Sequence, residues 1–406
     1  MLQYRNIKVE TEVFFNFFVK LYLFKTNTLQ GVDVKDTFLL LELAYIFFFS
    51  FASLFLLRKV AKSVGLVDVP TLRKQHEGSI PLIGGIAVFV TISNFVFNNP
   101  EIIPHSELFI GSIAILIIIG AIDDKFDLSF KIRLLVQAAL TVVMMYFTGL
   151  ELNYAGNVFG IGPVEFGILA PVFTVLAVLG AINAFNMVDG IDGLLGGLSI
   201  VTFTSISIIF FLNGKFDIYF LCIAVVVAIL PYVLMNLGLL GRRKRIFMGD
   251  AGSMMIGFMV IWLLLSASQT SVEPAMRPVT ALWLIALPLM DMTAIMYRRI
   301  KRGHSPFKPD RDHLHHICQR AGLSNIQTLV VICGLASVFA AIGVVGELLM
   351  IAEAYMFIAF LITFTGYSYL LLKNWPQHFT EKLDGRFLNL NPVDDDFIDD
   401  DLNTDP

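Results

Sequence analysis

Charge is scarce in this sequence. Only 15% of its 406 residues are Asp, Glu, Lys or Arg, whereas soluble domains carry about 25%. So little polar surface cannot cover a core drawn from the 56% of the chain that is hydrophobic, 37 phenylalanines included. An ordinary water-soluble globule is excluded, and a chain dissolved in lipid is favoured. The net charge is -4, so no general polyanion surface and no nucleic-acid partner are expected. The three cysteines, Cys222, Cys318 and Cys333, are too few and too scattered for a disulfide framework and read as packing residues. No cleavable leader is expected. The aromatic run Phe14, Phe15, Phe17 and Phe18 is interrupted by Asn16, is too short to span and has no small-residue cleavage site.

What is present is a succession of apolar runs. A membrane span needs about 20 apolar residues. Candidates lie near 38–57, 80–97, 108–122, 132–150, 166–186, 194–212, 216–234, 252–268, 278–297, 326–346 and 353–373. The expected fold is an all-α polytopic membrane protein with about eleven transmembrane helices, because lipid offers backbone groups no outside partner. The odd-numbered loops hold nearly all the loop cations, among them Arg58, Lys59, Lys62, Lys125, Lys131, Arg133, Arg242, Arg243, Lys244, Arg245, Arg298 and Arg299. The even-numbered loops hold Lys215 and Arg277. Lys and Arg mark the cytoplasmic side, so the N-terminus is expected outside and the C-terminus in the cytoplasm. Cations at Arg5, Lys8, Lys20, Lys25 and Lys35 argue mildly against that outer N-terminus. Residues 1–36 form an N-terminal extension, 37–375 the transmembrane catalytic domain and 376–406 an acidic tail. The tail is expected to be disordered, solvated and without a catalytic role.

The dense polar motifs fall in odd loops. Gly120-Ala-Ile-Asp-Asp-Lys-Phe-Asp127 follows the third span. Asp123 and Asp127 share a face if helical, with Asp124 turned about 100° away. Adjacent carboxylates at a membrane boundary repel unless a cation joins them, and Mg²⁺ suits hard oxygen ligands together with substrate phosphates. A solvated helix end neutralised by Lys125 is the plainer reading. Asn183-Ala-Phe-Asn186-Met-Val-Asp189-Gly-Ile-Asp192-Gly193 follows the fifth span, and its two acids share a face if helical. It is either a short polar turn or a metal or sugar-phosphate site. Asp250 sits between glycines in Phe247-Met-Gly-Asp-Ala-Gly-Ser253, where a helix N-terminus would welcome phosphate. The basic run before it reads chiefly as a topology signal and anionic-lipid contact.

The ninth loop carries Pro309-Asp-Arg311-Asp-His313-Leu-His315-His316. Arg311 offers a planar fork for phosphate, and the histidines offer hydrogen bonds or proton transfer. A zinc site from His313, His315, His316 and Cys318 has no familiar spacing. Asp291, inside the ninth span after Pro288, either lines the cavity or pairs with Arg298. The glycines of Ile80-Pro-Leu-Ile-Gly-Gly85 read as close-packing positions.

These four motifs, in this order and on one side, resemble the polyprenyl-phosphate N-acetylhexosamine-1-phosphate transferase family over roughly residues 38–373. Within it the chain departs from the phospho-MurNAc-pentapeptide branch, since Leu314 interrupts the histidine cluster. The resemblance implies UDP-GlcNAc and undecaprenyl phosphate as substrates and Mg²⁺, or alternatively Mn²⁺, as cofactor. It implies UMP and GlcNAc-pyrophosphoryl-undecaprenol as products, and the initiating step of O-antigen or enterobacterial common antigen assembly at the bacterial inner membrane. By motif, Asp250 becomes the first metal ligand, with Asp124 and Asp127 beside it. Asp123 and Asp124 orient the lipid phosphate or take its proton. Asp189, Asp192, Asn183 and Asn186 hold the nucleotide-sugar side, and Arg311, His313, His315 and His316 bind diphosphate and sugar. Two rivals remain. An intramembrane prenyltransferase would use Asp124-x-x-Asp127 and Asp189-x-x-Asp192. A secondary transporter would need polar groups at mid-membrane. Oligomeric state stays open.

Overall fold

The computed structural model describes residues 34–69, 78–270, 274–305 and 313–372. The N-terminal aromatic run, Arg311 and the acidic tail lie outside the described residues. The described chain is helical throughout its apolar runs: α1 (Val34–Val64), α2 (Gly84–Asn98), α3 (Ser106–Phe126), α4 (Phe130–Thr148), α5 (Ala170–Met187), α6 (Leu194–Leu212) and α7 (Phe216–Asn236). There follow α8 (Gly249–Ser268), α9 (Pro278–Leu284), α10 (Ala286–Lys301), α11 (Leu314–Arg320), α12 (Asn325–Leu348) and α13 (Glu353–Leu372). The protein is an all-α polytopic membrane protein.

Of the roughly eleven expected spans, two differ from a single long apolar helix. Nine of the segments coincide with helices long and apolar enough to cross a membrane. The second, α2, has only 15 residues. The ninth breaks into α9 and α10, bent by 80°. Its cause is Pro288, which has no N–H for the Leu284 carbonyl four residues earlier, so the first helix stops there and Pro288 falls in the first turn of the next.

Helix α8 is the axis of the molecule. Its residues are apolar on every side and nearly all buried, as expected of a helix enclosed by others rather than facing lipid. Helices α2, α3 and α5 pack around it. The approach is close because glycines line it. A Cβ on Gly85 would strike the backbone of Gly252, one on Gly120 the backbone of Ala251, and one on Gly257 that of Ile182. The close-packing reading of Gly85 therefore holds. The hairpin β1 (Val67–Asp68) and β2 (Ile80–Pro81) reinforces the same end, with Val67 paired to Pro81 and Asp68 to Ile80. Gly84 N–H donates to the Phe247 carbonyl at 2.9 Å and Gly85 N–H to that of Met248 at 3.1 Å. The start of α2 is thus stitched to the start of α8.

Antiparallel alternation then gathers the motifs at one end: the C-termini of α3 and α5, the N-termini of α4 and α8, and α11. The opposite end is closed by Arg277. It pairs with Glu347 at 3.1 Å and donates to the Gly346 and Ile351 carbonyls at 2.9 and 2.6 Å.

Gly120→Val should lower the recovery of monodisperse protein in detergent and its unfolding midpoint, by overpacking worth about 1–3 kcal/mol. Gly111→Val, on the same helix but with open space around it, should behave as the parent. Equal behaviour of the two variants would refute the close contact.

Candidate active site

The two aspartates that end α3 face different neighbours, as their angular separation requires. Asp123 is buried. One of its oxygens accepts the Leu128 N–H at 2.8 Å, and the other meets Arg133 at 2.6 Å. Asp124 accepts the N–H groups of Asp250 at 2.8 Å and Ala251 at 3.3 Å. It therefore caps α8 with a negative charge, where the helix dipole favours one. The expectation that this helix start lies open to a phosphate is corrected: these first N–H groups already belong to Asp124. Gly249 is required here twice over. Its φ is +76°, and a Cβ would collide with the Asp124 carboxylate.

Asp250 completes the group. Its side chain accepts Asn186 Nδ2 at 2.7 Å and lies 3.3 Å from Arg133. Asn186 donates as well to Ser253 Oγ at 2.8 Å. Four helices thus meet through Asp123, Arg133, Asp250 and Asn186. Arg133 was read in the sequence only as a loop cation. It stands in the first turn of α4 with its guanidinium turned back between two carboxylates. Its place ten residues after Asp123, across a helix–turn–helix, was the available signal.

The second acidic motif departs from its helical reading. Helix α5 stops at Met187, and residues 188–193 form turns, so Asp189 and Asp192 do not share a helix face. Asp192 pairs with Arg245, which also donates to the Asn236 carbonyl at 3.2 Å. The buried Asn236 side chain binds Gly193 N–H at 2.5 Å and the Ile246 carbonyl at 2.8 Å. Arg245 is thereby more than a lipid contact: it ties the acidic turn to the start of α8. Asp189 instead keeps an accessible side chain. Protein crowds it closely, and this desolvation first, then the Asp250 charge, pushes its pKa up to about 7. A residue both accessible and desolvated lines a cleft. Asn183, one turn below Asn186, donates to Gln137 at 3.3 Å and to the Leu179 carbonyl at 2.7 Å, away from the carboxylates. Asp127 is also apart. It takes a left-handed conformation (φ 52°) just past the end of α3, and it is exposed. Its predicted shared face with Asp123 fails because the helix has ended.

The histidine loop reaches this cleft through Gly190, where a Cβ would overlap the His315 ring. His313 and His315 are buried, with their rings nearly parallel and 5.7 Å apart; His316 lies 4.2 Å from His315. His313 Nδ1 is 2.9 Å from Asp291. Asp291 is thus bonded to the start of this loop. His315 Nε2 is buried and has no hydrogen-bond partner among the described residues. Burial first, then the neighbouring histidines, lowers its pKa to about 3, so the ring is neutral.

Among the described residues, no three His, Cys, Asp or Glu side chains already stand as a metal-holding set, the histidine–Cys318 group included. The donor chemistry nevertheless fits Mg²⁺, which commonly takes one or two carboxylates and leaves the rest to water and substrate phosphates. Asp250, with a side chain 40% exposed, and Asp189 are the accessible carboxylates of the cleft.

Comparison with known proteins identifies the family. A sequence model of glycosyl transferase family 4 matches residues 106–268, the stretch from α3 through α8. The chain is 51% identical to an undecaprenyl-phosphate alpha-N-acetylglucosaminyl 1-phosphate transferase of Yersinia pestis, over 82% of this chain and 92% of that protein. It is 50% identical to the protein of that name in Escherichia coli K12, over 82% and 91%. For the one in Pasteurella multocida it is 46%, over 83% and 94%. The chain belongs to glycosyl transferase family 4, among the relatives of these undecaprenyl-phosphate sugar-phosphate transferases.

Arg133→Ala leaves Asp123 and Asp250 facing one another. Losing one partner of a buried pair costs about 3–5 kcal/mol; since Arg133 is a quarter exposed, about 1–3 kcal/mol is expected. Adding Asp123→Asn should restore much of that, read by thermal unfolding; no recovery would deny the charge origin. For His315 the unfolded pKa of 6.5 lies above the folded one. The unfolded chain therefore binds the proton first, and stability falls as pH drops from about 6.5 toward 3. His315→Gln should flatten the decline in melting temperature between about pH 7 and 5. An unaltered slope would show that this ring is not the cause.

Proposed function

We propose that this protein transfers GlcNAc-1-phosphate from UDP-GlcNAc to undecaprenyl phosphate, giving GlcNAc-pyrophosphoryl-undecaprenol and UMP. The observation that carries the reading is Asp250, accessible on one side and held from behind by Asn186 and Arg133 among three further carboxylates. A lipid-phosphate oxygen attacks the β-phosphorus of the sugar nucleotide. The new P–O bond forms in line as the bond to the α-phosphate oxygen breaks, and UMP departs with the electron pair. Bound Mg²⁺ or Mn²⁺, held by Asp250 with Asp189 or Asp124, would offset charge on the diphosphate. Arg133 adds a fixed cation at the Asp123 side. Asp123 and Asp124 are themselves engaged, with Arg133 and with backbone N–H groups. Positioning and electrostatics therefore suit them better than proton removal. A phosphate monoester with a second pKa near 6 needs little help to ionise at neutral pH. Asn186 orients Asp250, Asp192 steadies the turn that presents Asp189, and Arg311, His313, His315 and His316 serve the diphosphate and sugar.

The reading places the reaction at the cytoplasmic face of the bacterial inner membrane, at the start of O-antigen or enterobacterial common antigen assembly. Support for that face comes from the cations crowding the site end, Arg133, Arg242, Arg243, Lys244 and Arg298 among them. With α2 and the bent α9–α10 pair each counted as a crossing, the chain passes eleven times, N-terminus outside and C-terminus inside. A prenyltransferase fits less well. Both of its Asp-x-x-Asp pairs are split, Asp127 from Asp124 and Asp192 from Asp189.

Asp250→Asn should abolish UMP release and lipid-linked product in proteoliposomes while the protein still inserts and purifies. Products identified by mass across a panel of UDP-sugars would test the GlcNAc assignment together with it. Near-normal transfer by this variant would remove Asp250 from the chemistry.

A further inference from the structure

The last described helix returns to the site end and brings a hydroxyl to it. Tyr367 of α13 donates to Asp291 Oδ1 at 2.7 Å. The same oxygen accepts the Leu314 N–H at 3.1 Å, and Asp291 Oδ2 meets His313 Nδ1 at 2.9 Å. Asp291, His313 and Tyr367 are 3%, 7% and 9% exposed. One buried carboxylate therefore gathers α10, α13 and the first residues of the histidine helix. It acts as acceptor to all three, so His313 carries its proton on Nδ1 and leaves Nε2 for another partner. From His313 the arrangement continues through the parallel His315 ring to Gly190, next to Asp189.

Buried polar groups are costly unless fully bonded. A chain requiring only helix contact could have met α13 here with apolar side chains, as it does where Trp283 packs on Phe360. We propose that Asp291 and Tyr367 are positioning residues for sugar-nucleotide recognition. Tyr367 holds Asp291; Asp291 sets the tautomer of His313 and presses the histidine loop onto the Asp189 turn. The proposal rests on the donor-side reading of that loop, and it extends the recognition apparatus to the final helix.

Tyr367→Phe keeps the ring and removes only the hydroxyl. The KM for UDP-GlcNAc should rise about five- to tenfold, with kcat and the KM for undecaprenyl phosphate within about twofold. His313→Ala should raise the same KM, and Tyr367→Phe on that background should add less than about twofold, because both act through Asp291. Asp291→Asn, nearly isosteric, takes the place of Tyr367→Phe if the latter does not accumulate, with the same lack of additivity expected. An unchanged KM in the single variant, or effects that multiply in the double variant, would overturn the proposal. A rise confined to the lipid-phosphate KM, still non-additive with His313→Ala, would uphold the positioning role and overturn the donor-side reading.

Discussion

Like charge crowded at the end of a lipid-embedded bundle has to be neutralised from within, and the site end of this protein is built around that requirement. Each carboxylate meets it differently. Asp124 uses the N-terminal N–H groups of α8, Asp123 and Asp250 share Arg133, and Asp192 takes Arg245. Asp291, farther into its helix, takes a tyrosine, a histidine and a backbone N–H. The Asp189 carboxylate accepts no hydrogen bond from another described residue, and it is the accessible acid whose pKa is pushed up to about 7. A cation or protonated group arriving beside Asp189 and Asp250 would relieve the largest remaining repulsion.

The same requirement dictates backbone geometry. Asp124 can cap α8 only if α3 and α8 nearly touch, and Gly120 and Gly249 make that distance possible. Gly85 lets α2 close from the other side, while its N–H and that of Gly84 hold the carbonyls of Phe247 and Met248. The motif Ile80–Gly85 and the motif Phe247–Ser253 are therefore one structure, separated in sequence but bonded along their backbones. A side chain at either glycine would push Asp250 away from Arg133 without altering any charged group.

Much of this was legible from residue type. Apolar runs located the helices, since lipid permits little else; Asp123 and Asp124 stood out as adjacent carboxylates at a membrane boundary, Asn186 as an amide beside an acidic turn, and Asp250 by its place between glycines at a helix start. What failed did so at helix ends. Pairing Asp123 with Asp127, and Asp189 with Asp192, assumed that helical spacing continues, whereas α3 ends at Phe126 and α5 at Met187. Arg133 escaped because an arginine after a cytoplasmic turn looks like any other topology signal. Its partner on α8 is 117 residues away, a separation no local pattern can bridge. The break at Pro288 was visible as a proline, but its consequence, an 80° bend rather than a kink, depended on how the two halves pack.

The layout also separates tasks along the chain. The stretch matched by the family model, 106–268, contains Asp123, Asp124, Arg133, Asn186, Asp189 and Asp250, the groups that meet across α3, α4, α5 and α8. The histidines come later and arrive from outside this core. They depend on the broken α9–α10 segment for Asp291 and on α13 for Tyr367. A bend at Ile285 is what lets α10 leave the line of α9 and carry Asp291 toward α11. Charge handling and histidine placement are thus built from different helices that touch at Gly190 and His315. Because that contact is a ring against a glycine backbone rather than an ion pair, the loop can be altered without unsettling the balance of charge beneath it. The histidine helix and the carboxylate group are therefore held by separate sets of contacts.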